Sequence, residues 1–203
     1  MRKLIHQTFL CLLAVISVWC GSVFADSRTL QENVIRMHVV ANSDTVRDQT
    51  VKLQIRDAVL ACLESDLAKI RSPKEANLYL HENLPKIESI ANDVLNAAGF
   101  EGFAVATLCK EAFPTRNYES FTLPAGVYNA LRITIGTGEG KNWWCVVFPA
   151  LCLQATSGEF EATAAGAGFS DTLNGALIGD EKYCLRFYCL DVLGRLENIL
   201  FTE

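Results

Sequence analysis

Val34-Ile35-Arg36-Met37-His38-Val39-Val40-Ala41, followed by Asn42-Ser43-Asp44-Thr45, decides how the chain is built. The first eight residues are rich in β-branched side chains and alternate in part, the pattern of a buried strand. Asn42-Ser43-Asp44 ends it, because short polar side chains bond nearby backbone and favour turns. Thr45 is placed to N-cap a helix, with Asp48 three residues on as the acidic half of a capping pair. Val51, Ile55, Ala58, Val59 and Cys62 then recur on one helical face, while Lys52, Arg56 and Asp57 fall away from its centre.

Towards the C-terminus, Ser72-Pro73-Lys74-Glu75 starts a second helix, with Ser as N-cap and Pro at the first helical position. Pro85 disfavours helical geometry at Leu84, so a pause is expected there. Ile87, Ile90, Ala91, Val94, Leu95 and Ala98 form the stripe of a third helix, stopped by Gly99. Phe103, Val105, Thr107 and Cys109 mark a strand, Leu123-Pro124-Ala125-Gly126 a turn, and Leu131, Ile133 and Ile135 another strand. Trp143 to Phe148 is apolar on both faces, as a central strand would be. Residues 154–181, rich in Ala, Gly, Ser and Thr, are expected as a flexible surface excursion. Residues 183–189 complete the pattern as a strand and Val192 to Leu200 as a closing helix. The fold class is α+β: three helices from the N-terminal half packed on a mixed or antiparallel sheet built mainly from the C-terminal half.

Towards the N-terminus, Arg2 and Lys3 precede an apolar run from Phe9 to Trp19, and Val23-Phe24-Ala25 is a small-x-small cleavage pattern. Residues 1–25 are therefore a signal peptide or, uncleaved, an N-terminal anchor. Eleven apolar residues fall short of the ~20 that span a bilayer, which favours cleavage. Residues 26–203 form a single exported domain. That body carries 16 basic against 23 acidic side chains, a net charge of −7, which speaks against nucleic acid and against electrostatic binding to anionic lipid. Half of the 203 residues are apolar, which excludes wholesale disorder.

The familiar chemical motifs fail on spacing. Gly136-Thr137-Gly138-Glu139-Gly140-Lys141 lacks the first glycine and the Ser or Thr of a phosphate loop and lies between strands, so it is a turn. His38 and His81 are the imidazoles of the exported body, and neither sits in a recognisable nucleophile setting. No short repeated spacing of Cys or His suggests a metal site, and no cofactor is implied. Cys145 and Cys152 would lie ~23 Å apart on a straight strand, beyond the ~4.4–6.8 Å of a disulfide. A reversal at Pro149 brings them together; the alternative is a pair of buried thiols.

Several separated blocks nevertheless resemble one family. Val34 to Asp44 with Asp48-Gln49, Phe113-Pro114-Thr115-Arg116, Leu123-Pro124-Ala125-Gly126, and Gly138 to Pro149 followed by Cys152 are similar to the stage II sporulation protein R family. The resemblance implies a signalling protein of endospore formation. Such a protein is made in the forespore and exported into the space between the forespore and mother-cell membranes. Its implied partner is a membrane-embedded aspartic-type protease of the mother-cell membrane, which cuts the precursor of sigma-E. Arg36, His38, Asn42, Asp44, Arg116, Asn142, Trp143 and Trp144 lie in the shared blocks without being required by a core, and are the candidate partner-binding residues. Asn42 and Asp44 have capping and turn-forming as their alternative role, the Trp pair core filling. The rival class is a secreted hydrolase acting in the same space.

Overall fold

The structure is a computed structural model that describes residues 1–149, 163–166 and 168–202. Its elements are helix α1 (Arg2–Asn33), strand β1 (Ile35–Val40), helices α2 (Val46–Leu67) and α3 (Pro73–Ala97), and strands β2 (Ala104–Phe113), β3 (Arg116–Asn117), β4 (Thr122–Leu123), β5 (Gly126–Ile135) and β6 (Asn142–Phe148). Helices α4 (Asp171–Ile178) and α5 (Cys184–Thr202) follow, joined through a 3-10 turn at Glu181–Tyr183.

Four strands form a mixed sheet in the order β2-β5-β1-β6, with β1 parallel to β5 and the other two pairings antiparallel. Successive strand residues point to opposite faces, and both faces are covered. Ile35, Met37, Val39, Leu131, Ile133, Cys145 and Val147 face a core closed by α2 and α3. Tyr128, Ala130 and Val146 face a second core, where Val23, Leu30, Leu173 and Leu190 belong to α1, α4 and α5. The α+β class holds.

Local signals explain the starts of α2 and α3. Thr45 Oγ1 accepts from the Asp48 amide at 3.2 Å and Ser72 Oγ from the Glu75 amide at 3.2 Å, each satisfying an orphan donor of a first turn. Three expectations are corrected. Pro85 does not interrupt α3, so the second and third predicted helices are one. Ala76, Leu80, Ile87, Ala91 and Leu95 keep one buried stripe across it, and Pro85 is exposed, where water can hydrate the carbonyl it frees. Residues 183–189 are not a strand but the start of α5, because a short apolar run does not distinguish the two. β6 lies at the edge of the described sheet; its unbroken apolarity reflects two covered faces rather than a central position.

Two further differences concern the ends of the body. Within the expected excursion, Asp171–Ile178 is a helix with Leu173, Ala176 and Leu177 buried, while residues 150–162 lie outside the described part. Helix α1 passes through Ala25 without a break, and Val23, Asp26, Ser27 and Leu30 are buried beyond and before that point.

Helix α5 reaches the sheet through Gly194. A Cβ there would lie 1.7 Å from the Ala125 carbonyl oxygen, so only glycine lets the helix touch the turn before β5. Asp191, one turn earlier, accepts from the Ala125 amide at 2.9 Å, from Thr115, and from Arg195 Nε at 2.8 Å. Gly194→Ala is expected to lower stability by about 1–3 kcal/mol, read as a fall in the urea midpoint with an unchanged slope.

Candidate functional site

The alternation of β1 and β6 splits the eight predicted residues into three places. Arg36, His38 and Trp144 lie on the α5 side of the sheet, joined there by Arg116. Asn42, Asp44 and Asn142 gather where β1 ends and β6 begins. Trp143 faces the opposite layer, under the Arg56 guanidinium at 4.8 Å from its ring centre.

On the α5 side, aromatic rings and cations interleave. Arg36 is fully buried, with its guanidinium 4.2 Å from the Phe113 ring centre and 5.0 Å from that of Tyr128. Its Nη2 donates to Tyr118 Oη at 3.3 Å, while Nε and Nη1 have no hydrogen-bond partner among the described residues. The ring quadrupoles stabilise this desolvated charge in place of a carboxylate. His38 stacks on Trp144 at 5.1 Å and meets the Phe113 ring edge-on at 5.6 Å. Arg116 lies 4.8 Å from the Trp144 ring centre.

Glu111, absent from the sequence-based candidates, organises this group from β2. One oxygen contacts His38 Nε2 and the other accepts from Arg132 Nη1 at 2.7 Å. Burial pushes the Glu111 carboxyl up, but the hydrogen bond and charge of His38, with Arg132 behind them, outweigh it and hold the group below its ordinary range. His38 is only 3 % exposed, so its ring is a packed member of the second core rather than a group poised at the surface. No local sequence signal points to Glu111: the β2–β5 register sets it opposite Tyr128 and Arg132 opposite Thr107, and the reach of the two side chains brings them together.

At the strand ends the polar residues clasp two loops. Asn42 Nδ2 donates to Asp48 at 2.8 Å and its Oδ1 accepts from the Thr137 amide at 3.1 Å. Asp44 accepts from the Lys141 amide at 2.7 Å. Lys52, expected to fall away from the apolar stripe, is instead buried and donates to the Lys141 carbonyl at 3.0 Å. Hydrogen bonds from Ser43 and then Asn42 hold the Asp48 carboxyl low. Gly140 closes the clasp, since a Cβ would come within 2.4 Å of the Ser43 carbonyl oxygen. For Asn42 and Asp44 the turn-forming role is thus what the geometry shows, and Gly136 to Lys141 is the expected turn.

Of the eight, Asp44 and Asn142 are exposed, Asn42, Arg116, Trp143 and Trp144 are half-buried, and Arg36 and His38 are buried. Cys145 is buried on β6, and Cys152 lies outside the described residues. No group of three His, Cys, Asp or Glu suited to a metal occurs among the described residues.

The depressed Glu111 carboxyl makes a pH prediction. A carboxylate with a lowered folded-state pKa stabilises the fold above its unfolded pKa, and that contribution disappears as pH falls through the folded value. Glu111→Gln is expected to cost about 1–3 kcal/mol at pH 7, with the gap to the parent protein closing in acid. Urea titrations of both proteins from pH 7 down to pH 3 measure it; a constant gap contradicts the ion-pair account.

Residues 31–158, more than half of the chain, match the family model described as stage II sporulation protein R. A protein of that name from Bacillus subtilis (strain 168) is 39 % identical over 131 residues, which cover 64 % of this chain and 58 % of the relative. The chain thus spans less than two thirds of that relative's length. No solved structure matches. The matched region holds the four-stranded sheet, the loop clasp and the cation–aromatic group, and the chain belongs to the stage II sporulation protein R family.

Proposed function

We propose that this protein is an exported signal of spore formation that acts by binding. Made in the forespore, it would engage the outward-facing part of a membrane-embedded aspartic-type protease in the mother-cell membrane and so promote cleavage of the sigma-E precursor. Membership of the stage II sporulation protein R family carries this reading, and the apolar N-terminal helix fits either an export signal or an anchor. A ligand of this kind shifts a receptor only by its differential affinity for the active arrangement; a tenfold shift in the balance needs about 1.4 kcal/mol.

The contact surface is proposed at the rim of the loop clasp. Asn142 and Asp44 are exposed there, and Trp143 with Arg56 lies next to Asn142 on β6. Half-buried tryptophan and arginine are the residue types that anchor interfaces. Arg36 and His38, being buried, would serve by holding β1 and β6 rather than by touching the receptor. The hydrolase alternative needs an accessible base, and the packing of His38 between Trp144 and Phe113 disfavours it.

Coexpression of this chain with the protease and the sigma-E precursor in a non-sporulating host tests the role. Processing should require the chain, and Asn142→Ala and Trp143→Ala should each reduce it about tenfold or less with little change in thermal midpoint. Precursor cleavage that proceeds equally without the chain rejects the signalling role.

The Cys145–Cys152 disulfide is proposed as well, across the chain reversal expected at Pro149. What supports it is that Cys145, unlike the other described cysteines, is not a free thiol. Alkylation of the denatured, unreduced exported protein should leave these two sulfurs unmodified until reductant is added.

A further inference from the structure

Helix α5 is apolar on the side that faces away from the sheet as well as on the side that packs against it. Leu190 is buried in the second core, with Phe187 and Leu193 packed against it. On the outer side Leu185, Tyr188, Val192, Leu196 and Ile199 are 37–65 % exposed. Of the exposed positions between Cys184 and Phe201, Arg195 alone is charged, and Asp191 one turn earlier pairs with it at 2.8 Å. A helix that is apolar all round is ordinarily covered all round. The largest apolar patch of a typical monomer is ~300–600 Å². With Leu200 beside them, the five side chains present on the order of 700 Å², close to the ~800 Å² that each partner gives to a standard protein interface.

The spacing of this stripe selects what covers it. Leu185 and Ile199 lie seven residues to either side of Val192, and Tyr188 and Leu196 lie four. Four and seven residues are close to one and two whole helical turns, so all five share one face. The stripe also reads the same from both ends, which makes it complementary to its own reverse. A two-fold axis perpendicular to α5 at Val192 sets Leu185 opposite Ile199, Tyr188 opposite Leu196, and Val192 opposite itself. Arg195, one heptad beyond Tyr188, lies on the same edge of the stripe. The axis therefore brings its guanidinium beside the Tyr188 ring of the second copy, where cation and ring attract. A parallel pair would instead set two Arg195 side chains against each other at one height.

We propose that the outer face of α5 is the contact between two copies of this chain, packed as an antiparallel two-fold pair centred on Val192. Arg186 bonds Asp26 and Glu197 meets Gln31, so α1 and α5 run side by side in the same direction. The pair therefore points its two α1 helices opposite ways, and it belongs to protein whose leader has been removed after Ala25. That removal also uncovers the sides of Tyr188 and Val192 that share a cleft with Trp19, Val23 and Phe24. Trp143 packs in the α2 layer, across the sheet from α5, and lies outside the contact. The inference rests on the export of the body, not on the identity of its receptor, and its test involves no precursor processing.

The test uses the full chain expressed with its own leader in a bacterial host and recovered as the exported protein, its N-terminus fixed by intact mass. Light scattering over a concentration series should approach twice the mass of one chain. Val192→Glu and Val192→Lys should each weaken association about thirtyfold or more without moving the thermal midpoint, while Leu78→Glu, exposed on α3, should leave it unchanged. Because residue 192 faces itself, mixing the Glu and Lys variants should restore the dimer. Tyr188→Lys mixed with Leu196→Glu reads the same register at a second height. A parent protein monomeric at every concentration overturns the proposal, as does a Val192→Glu protein that dimerises like the parent. Mixtures that stay monomeric overturn the antiparallel register, and exported protein that keeps residues 1–25 overturns the pair. A monomer that sediments with phosphatidylethanolamine–phosphatidylglycerol vesicles, and loses that binding on Val192→Glu, assigns the face to lipid instead.

Discussion

The register of β1 between β5 and β6 is the constraint on which the rest of the molecule depends. Arg36 pairs with Ala130 on one side and Val146 on the other, and His38 with Arg132 and Trp144. That pairing sends Ile35, Met37 and Val39 into an aliphatic core and Arg36 and His38 into an aromatic one. A slip of one residue would exchange the two sets, placing a guanidinium among Ile55, Leu80 and Ile133 with no ring or carboxylate to receive it. The desolvation cost of such a charge is several kcal/mol, so Arg36 selects the register as well as occupying it. Phe113 and Tyr128 complete the selection from β2 and β5, since only the native pairing sets their rings against the guanidinium.

The elements legible in the sequence were those with a local cause. The caps at Thr45 and Ser72 need only their own helices, and the stripe from Val51 to Val59 is a property of one face. What failed was decided by distant partners. Pro85 is tolerated because Leu80 and Ile87 both find the same buried surface, a fact of tertiary packing that no dipeptide preference contains. The start of α5 reads as a strand in the sequence because Leu185, Phe187 and Tyr188 are residue types of either structure. Its helical state follows from Asp191 and Gly194, whose partners Thr115 and Ala125 lie far back in the chain.

The candidate site divides along the same line. Arg36, His38, Trp144 and Arg116 stand out in the sequence as polar or aromatic groups that a core does not require, and the structure brings them together. It also shows why they are there: Arg36 and His38 are buried in the aromatic core, and the half-buried Trp144 and Arg116 pack against it. Glu111 has no sequence signal because a lone carboxylate on a strand carries no pattern. Sequence blocks shared with a family therefore mixed two kinds of residue, those that hold the sheet and those left at its rim, and only burial separates them.

That separation bears on how a binding signal could work. Asn142 and Trp143 project from β6, an edge strand of the described sheet, and an edge strand alone would be a poor platform because its side chains lose entropy on docking. Here β6 is fixed on one face by the His38–Trp144 stack, backed by Glu111 and Arg132, and on the other by α2, from which Arg56 reaches the Trp143 ring. The turn at Gly140 is tied to Ser43 and Asp44 at the same end. A partner meeting this rim would encounter side chains whose order was established in folding, so more of the contact energy remains available for distinguishing one receptor arrangement from another. Buried charge and the exposed rim are coupled in this way: Arg36 and His38 are themselves buried, yet they hold the strand that carries Asn142 and Trp143.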